Sequence, residues 1–172
     1  MGGDGWAGDE AGTKTEMYPR SKCDLPAFPL SLLTLHGAVG FNTAQGPVFC
    51  GGANDRTIEN RCFILKQHQW MPFPSMTTRR KSATATEINN DRTLIIGGNF
   101  NDLKSTEFVS ARGSEEGENF PVTISGHCTF KINATHALVN GGIQDGSDSA
   151  STWFVDLTTT TSTPGPAMKM RR

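Results

Sequence analysis

Four histidines, His36, His68, His127 and His136, stand among abundant serine and threonine, a set that could supply a nucleophile and its base. No Gly-x-Ser-x-Gly turn presents a serine, and His36 and His127 open stretches that match each other along the chain. Structural histidines are therefore the expected reading, because a triad is made by geometry and not by composition. Glu16 and Glu107 each follow a threonine. Two carboxylates can share acid–base work. These two, however, fall one repeat apart within strand-like stretches, where a buried glutamate held by backbone amides is expected. Residues 145–148, DGSD, carry oxygen ligands but are too short for a calcium loop and lack the closing glutamate, so they read as a polar turn around Gly146. Residues 158–163, TTTTST, read as a solvated hairpin and not as a glycan-rich patch. The expectation is no catalytic residue, no metal and no cofactor.

The cysteines, Cys23, Cys50, Cys62 and Cys128, form no C-x-x-C pair, which argues against zinc. Asn133-Ala134-Thr135 fits an N-glycosylation acceptor. Together they lean toward an oxidising, extracellular compartment, with the cytoplasm as the alternative.

Positioning any of these residues falls to many short elements. The 172 residues suffice for one domain, and only 35% are hydrophobic, against 19 glycines and 9 prolines. A net charge of −1 gives no support to nucleic acid or an anionic membrane as partner. No run approaches the roughly 20 apolar residues of a membrane span. The N-terminal MGGDGWAGDE has neither the basic nor the apolar region of a secretory leader, and Trp6 stands where a myristoylation site needs Ser or Thr.

Gly-Gly pairs begin at Gly2, Gly51, Gly97 and Gly141, spaced 49, 46 and 44 residues apart. A period in the forties is a repeat signature. Three pairs, Gly51–Gly52, Gly97–Gly98 and Gly141–Gly142, close apolar runs: PVFCGG, TLIIGG and ALVNGG. Each run follows a small-residue stretch and a polar turn; after each pair comes a second β-type run, RCFILK, STEFVS or STWFVDL, and then a proline-bearing segment. One unit thus reads as strand, hairpin, strand, Gly-Gly, loop, strand, turn, short strand: a four-stranded antiparallel meander. Helical periodicity is absent. Units of roughly 1–33 (partial), 34–78, 79–125 and 126–170 make a single all-β domain. A four-stranded sheet cannot hide two apolar faces alone. Stacked sheets hide both, and glycine lets the backbone turn where sheets crowd. Cys50 would end one strand and Cys62 begin its neighbour, within reach of a disulfide or packed as two small hydrophobes.

These residues resemble kelch repeats. The unit at 36–76 is closest, with Gly51–Gly52, Phe63, Trp70-Met71-Pro72 and Met76; Arg79 or Arg80, and again Arg171–Arg172, stand where kelch units open with arginine. Unit 77–125 lacks the tryptophan, Trp153 lies inside its strand, and Tyr18 is the only tyrosine. The resemblance implies a β-propeller of which this chain carries about three and a half blades, with Gly51, Gly52, Trp70, Gly97, Gly98, Gly141 and Gly142 structural. An open blade face would then permit self-association. The implied function is a scaffold or adaptor that recognises a partner protein through rim loops. On that rim the candidates are Arg56, Asn99, Phe100, Asp102, Gln144 and Asp145. The alternatives are part of a kelch-type enzyme, such as a carbohydrate-directed oxidase or a sialic-acid-processing enzyme, or a self-assembling structural repeat. The tyrosine pair that copper radical oxidases need is missing here.

Overall fold

A computed structural model describes residues 35–98 and 104–171. Among them there is no helix. The strands, in chain order, are β1 Val39–Thr43, β2 Gly46–Cys50, β3 Cys62–Lys66, β4 Gln69–Phe73, β5 Thr84–Asn89, β6 Arg92–Ile96, β7 Thr106–Ser110, β8 Gly113–Glu116, β9 Ile124–Ser125, β10 Cys128–Lys131, β11 His136–Asn140, β12 Ile143–Gln144, β13 Ser147–Asp148, β14 Thr152–Asp156 and β15 Ser162–Pro164. Twelve of them form three four-stranded antiparallel sheets, β1–β4, β5–β8 and β10-β11-β14-β15, each built from one contiguous unit of the chain, and β9, β12 and β13 form a small three-stranded sheet. The expected order of strand, hairpin, strand, Gly-Gly, strand, strand is what all three display. In the first sheet the proline-bearing segment is the fourth strand itself; in the second, β8 is complete before Pro121.

The registers align the units residue by residue. Val39, Thr84 and Cys128 open the three sheets opposite Cys50, Ile96 and Asn140, and these pair in turn with Cys62, Thr106 and Thr152. His36 therefore corresponds to Lys81 and Ser125, and His127 to Ala38 and Ala83. The two histidines are two positions out of step and are not equivalent, a correction that only the registers could supply.

Successive sheets are joined at the Gly-Gly end. Gly52 donates its N–H to the Arg80 carbonyl at 2.8 Å, and Gly98 repeats the bond to Ile124 at 2.8 Å. The lead-in turns are chained likewise: Ser82 N–H to the Gly37 carbonyl at 2.7 Å, then Gly126 N–H to the Ser82 carbonyl at 2.9 Å. The glycine pairs are needed for close approach. Gly51 and Gly97 sit at φ 65° and 60°, and a Cβ at Gly51 would lie 2.5 Å from the Arg80 carbonyl oxygen. A side chain there would be strained and would also push the next unit away.

Two apolar layers result. Val39, Phe41, Val48, Ile64 and Phe73 of the first sheet pack with Ile95 and Val109 of the second. Leu94, Ile96 and Phe108, from the second sheet's other face, pack with Ala137, Val139 and Val155 of the third. Leu94, Ile95 and Ile96 are each fully buried, so β6 reads as a continuous apolar run because it is covered on both sides.

Candidate partner-binding rim

The loops that follow the Gly-Gly pairs were the sequence's candidates for recognition. In the first of them, Asn54 Oδ1 accepts the N–H groups of Arg56 and Thr57, both at 2.8 Å, and folds residues 54–57 into a tight turn. Glu59 then accepts two bonds from Arg61, both at 2.8 Å, and one from the Thr57 hydroxyl at 3.1 Å. Hydrogen bonding from Arg61 holds the Glu59 carboxyl below the usual carboxylate range. The turn presents Arg56 outward, exposed, with no acidic partner for its guanidinium among the described residues. Side-chain hydrogen bonds shape the loop while the Arg56 guanidinium, beside an exposed Asp55, stays available, as an anchor requires.

The third unit's loop behaves differently. It is a hairpin, β12–β13, turned by Asp145 (φ 45°) and Gly146 (φ 80°), and β12 also pairs with β9. Residues 145–148 read in the sequence as a polar turn, and the small three-stranded sheet around them is a finding of the structure. The signal was Asp-Gly, a strong mark of a two-residue hairpin. Gln144 is buried and donates to the Gly141 carbonyl at 3.1 Å. Asp145 Oδ1 accepts the Thr123 N–H at 3.0 Å and its hydroxyl at 3.1 Å. Gln144 thus holds its own loop together, and Asp145 ties that loop to β9. Asn99, Phe100 and Asp102 lie outside the described residues.

The remaining candidates are dispersed. His68 sits in the β3–β4 turn at φ 61°, and His136 is exposed on β11. His127 is buried, its Nε2 2.7 Å from the Thr84 hydroxyl, which is itself 2.6 Å from that of Thr129. Its Nδ1 meets no hydrogen-bond partner, so no carboxylate orients the ring as a base would need. Burial pulls the imidazole down to about 4, which keeps it neutral. Among the described residues no three His, Cys, Asp or Glu side chains gather as a metal would require.

Glu107 is fully buried. It accepts from the backbone N–H and hydroxyl of Thr77, the Thr78 N–H at 3.4 Å and the Ser114 hydroxyl, and lies 3.3 Å from Arg80. Arg80 spends its other donors on the carbonyls of Gly97 and Ser105 at 2.8 and 2.9 Å. Burial pulls its guanidinium below the ordinary range, and the Glu107 carboxylate opposes that shift. The pair ties the linker between the first two sheets to the glycine end of the second. Glu16, its proposed counterpart, lies outside the described residues.

Cys50 and Cys62 face each other across β2 and β3 with Cα atoms 4.1 Å apart and are joined as a disulfide. Cys128 is free and exposed. Asn133 lies in the exposed β10–β11 turn, where its Oδ1 accepts the N–H groups of Thr135 and His136.

No protein-family model matches this sequence, and no curated protein matches it.

Proposed function

We propose that the chain is a protein-binding module, in which the three sheets are consecutive blades of a kelch-type propeller and a partner protein docks on the rim at the Gly-Gly end. One observation carries the reading. The inter-sheet bonds from Gly52 to Arg80 and from Gly98 to Ile124 fasten equivalent ends of successive sheets together, so the loops that leave those ends share one edge. The side-by-side placement of the first strands, β1 against β5 and β5 against β10, is what a fan about an axis would produce. The loops differ in chemistry while their stems do not, which is the usual division between a scaffold and its recognition surface. Arg56 is the anchor on the first loop, and Phe100, on the second, is the proposed aromatic companion. No enzymatic activity is proposed. The Cys50–Cys62 bridge favours an oxidising compartment.

A photo-crosslinking residue placed at position 56 or 100, with controls at 45 and 90 in the hairpin turns at the opposite end of the sheets, tests the rim. Partner adducts confined to 56 and 100, and weakened by Arg56→Ala, are expected. Equal adducts from both ends would remove the rim assignment.

A further inference from the structure

We infer that Asn133 carries an N-linked glycan, attached as the chain passes through an oxidising secretory compartment. Asn133-Ala134-Thr135 is the chain's one Asn-x-Ser/Thr triplet, and its middle residue is not proline. The structure adds where that triplet stands and how its side chains are used.

The triplet occupies the β10–β11 turn, which departs from its two equivalents. The pairs Thr43–Gly46 and Asn89–Arg92 leave two residues each between β1 and β2 and between β5 and β6. The pair Lys131–Ala137 leaves five, residues 132–136, and all five are exposed. The first two turns are fastened to each other by the bond from the Ala44 N–H to the Asn90 carbonyl at 2.8 Å. Among the described residues, 132–136 bond only within their own sheet. The N–H groups of Ile132 and Asn133 donate to the His136 carbonyl at 2.9 and 3.2 Å, and the Leu157 N–H donates to the Thr135 carbonyl at 2.8 Å. Of the three turns, this is the one on which a bulky, hydrated group interrupts no bond between sheets.

The Asn133 carboxamide is used on one side only. Its Oδ1 accepts the N–H groups of Thr135 and His136 at 2.9 and 2.8 Å, and the Thr135 hydroxyl at 3.1 Å. Its Nδ2 has no hydrogen-bond partner among the described residues, and the side chain is exposed. The oxygen thus holds the turn while the nitrogen, the atom that would bear the sugar, is left over. The donor class is a lipid-linked oligosaccharide diphosphate. Nδ2 forms a bond to the anomeric carbon as the bond from that carbon to the diphosphate oxygen breaks. The diphosphate leaves with the electron pair, one Nδ2 proton passes to a base of the transferring enzyme, and nothing is oxidised or reduced.

The Cys50–Cys62 bridge is an independent observation that points to the same compartment, since disulfides form and persist along the secretory route. The turn lies at the end of the sheets opposite the Gly-Gly rim, so a glycan there leaves the proposed docking loops uncovered.

The test uses the full-length protein recovered from the cells that make it. Digestion with peptide-N-glycosidase in heavy-oxygen water should lower its mass and leave an isotope-labelled aspartate at position 133. Asn133→Asp keeps the oxygen that holds the turn and removes the nitrogen. It should lose the glycan outright while its circular dichroism stays that of wild type. Thr135→Ala should lose the glycan as well, and Thr135→Ser, which preserves the acceptor pattern, should retain it. Unmodified asparagine at position 133 in the recovered protein, or a Thr135→Ala protein as fully glycosylated there as wild type, would overturn the inference.

Discussion

Leu94 and Leu138 are the same residue at the same place in two successive sheets, and they meet different fates. Leu94 is 0% exposed between the second sheet and the third. Leu138 is half-buried, on a face with no further sheet over it among the described residues. Their neighbours follow suit: β6 is apolar at 94, 95 and 96 and buried at each, while β11 alternates, with Ala137 and Val139 buried and Leu138 and Asn140 less so. The backbone design is common to all units, whereas burial is set by what lies alongside. In a stacked repeat, energy therefore resides in the interfaces between sheets as much as in any sheet.

The largest effect expected from disturbing an interface is at Glu107. Its equivalents are Phe63 and Trp153, and those of Arg80 are Leu35 and Ile124, so the second unit carries an ion pair where its neighbours carry apolar residues. Glu107→Ala leaves Arg80 buried without its counter-charge and should cost about 3–5 kcal/mol by urea denaturation. Joining Arg80→Leu to Glu107→Phe restores the neighbours' chemistry and should recover most of that loss, short of the Thr77 and Thr78 amides left unpaired. A double variant no better than Glu107→Ala would mean that the carboxylate matters mainly as an acceptor for those amides and for Ser114.

The leucine pair gives the next largest contrast. Leu94→Ala should destabilise by about 2–5 kcal/mol, as deletion from a full core does. Leu138→Ala should cost about 1 kcal/mol when measured at a concentration that keeps the chain monomeric. Equal costs would show that the outer face is covered after all.

How far the sequence revealed this follows from which constraints are local. The Gly-Gly pairs, the hairpins and the meander order depend on backbone chemistry within one unit, and PVFCGG, TLIIGG and ALVNGG display it openly. Cys50 and Cys62 were placed correctly because strand ends sufficed to bring them together. Arg80 meeting Glu107 depends on two units folding against each other, so spacing along the chain does not reveal it. Gln144 reads as a loop residue free to bind, yet it turns inward to Gly141, because a short hairpin forms where only a turn was apparent. Histidine equivalence failed by two residues, an offset that only the pairing of the strands reveals.

The residue just ahead of each sheet's first strand has a consequence for acid stability. His127 stands where the other units carry Ala38 and Ala83, and burial holds it near 4, below its ordinary 6.5. Above pH 6.5 both folded and unfolded chains are neutral at this site. Between about pH 6.5 and pH 4 the unfolded chain takes up the proton first, so stability falls as pH falls. The loss reaches about 3 kcal/mol once both forms are protonated. His127→Ala, which gives the site its neighbours' residue, should flatten the unfolding free energy across that interval. An undiminished acid step in the variant would assign it to other groups.

The smallest effect tests the lead-in turns. Gly37, Ser82 and Gly126 occupy one equivalent position at φ 65°, 55° and 60°, so the middle unit holds a serine in a conformation its neighbours give to glycine. A left-handed serine is strained by roughly 1 kcal/mol, and glycine there would relieve it while adding unfolded-state entropy of comparable size. Ser82→Gly should therefore raise stability by no more than about 0.5 kcal/mol, or about 1–2 °C in Tm. The converse change isolates the backbone contribution. A Cβ at Gly126 meets nothing within 4 Å, so Gly126→Ser introduces strain without a clash. It should lower stability by an amount that mirrors Ser82→Gly. If Gly126→Ser costs several kcal/mol instead, the bond from Gly126 to the Ser82 carbonyl demands a geometry that serine cannot hold there. The third unit's lead-in would then be less tolerant than the second's, despite the shared dihedral.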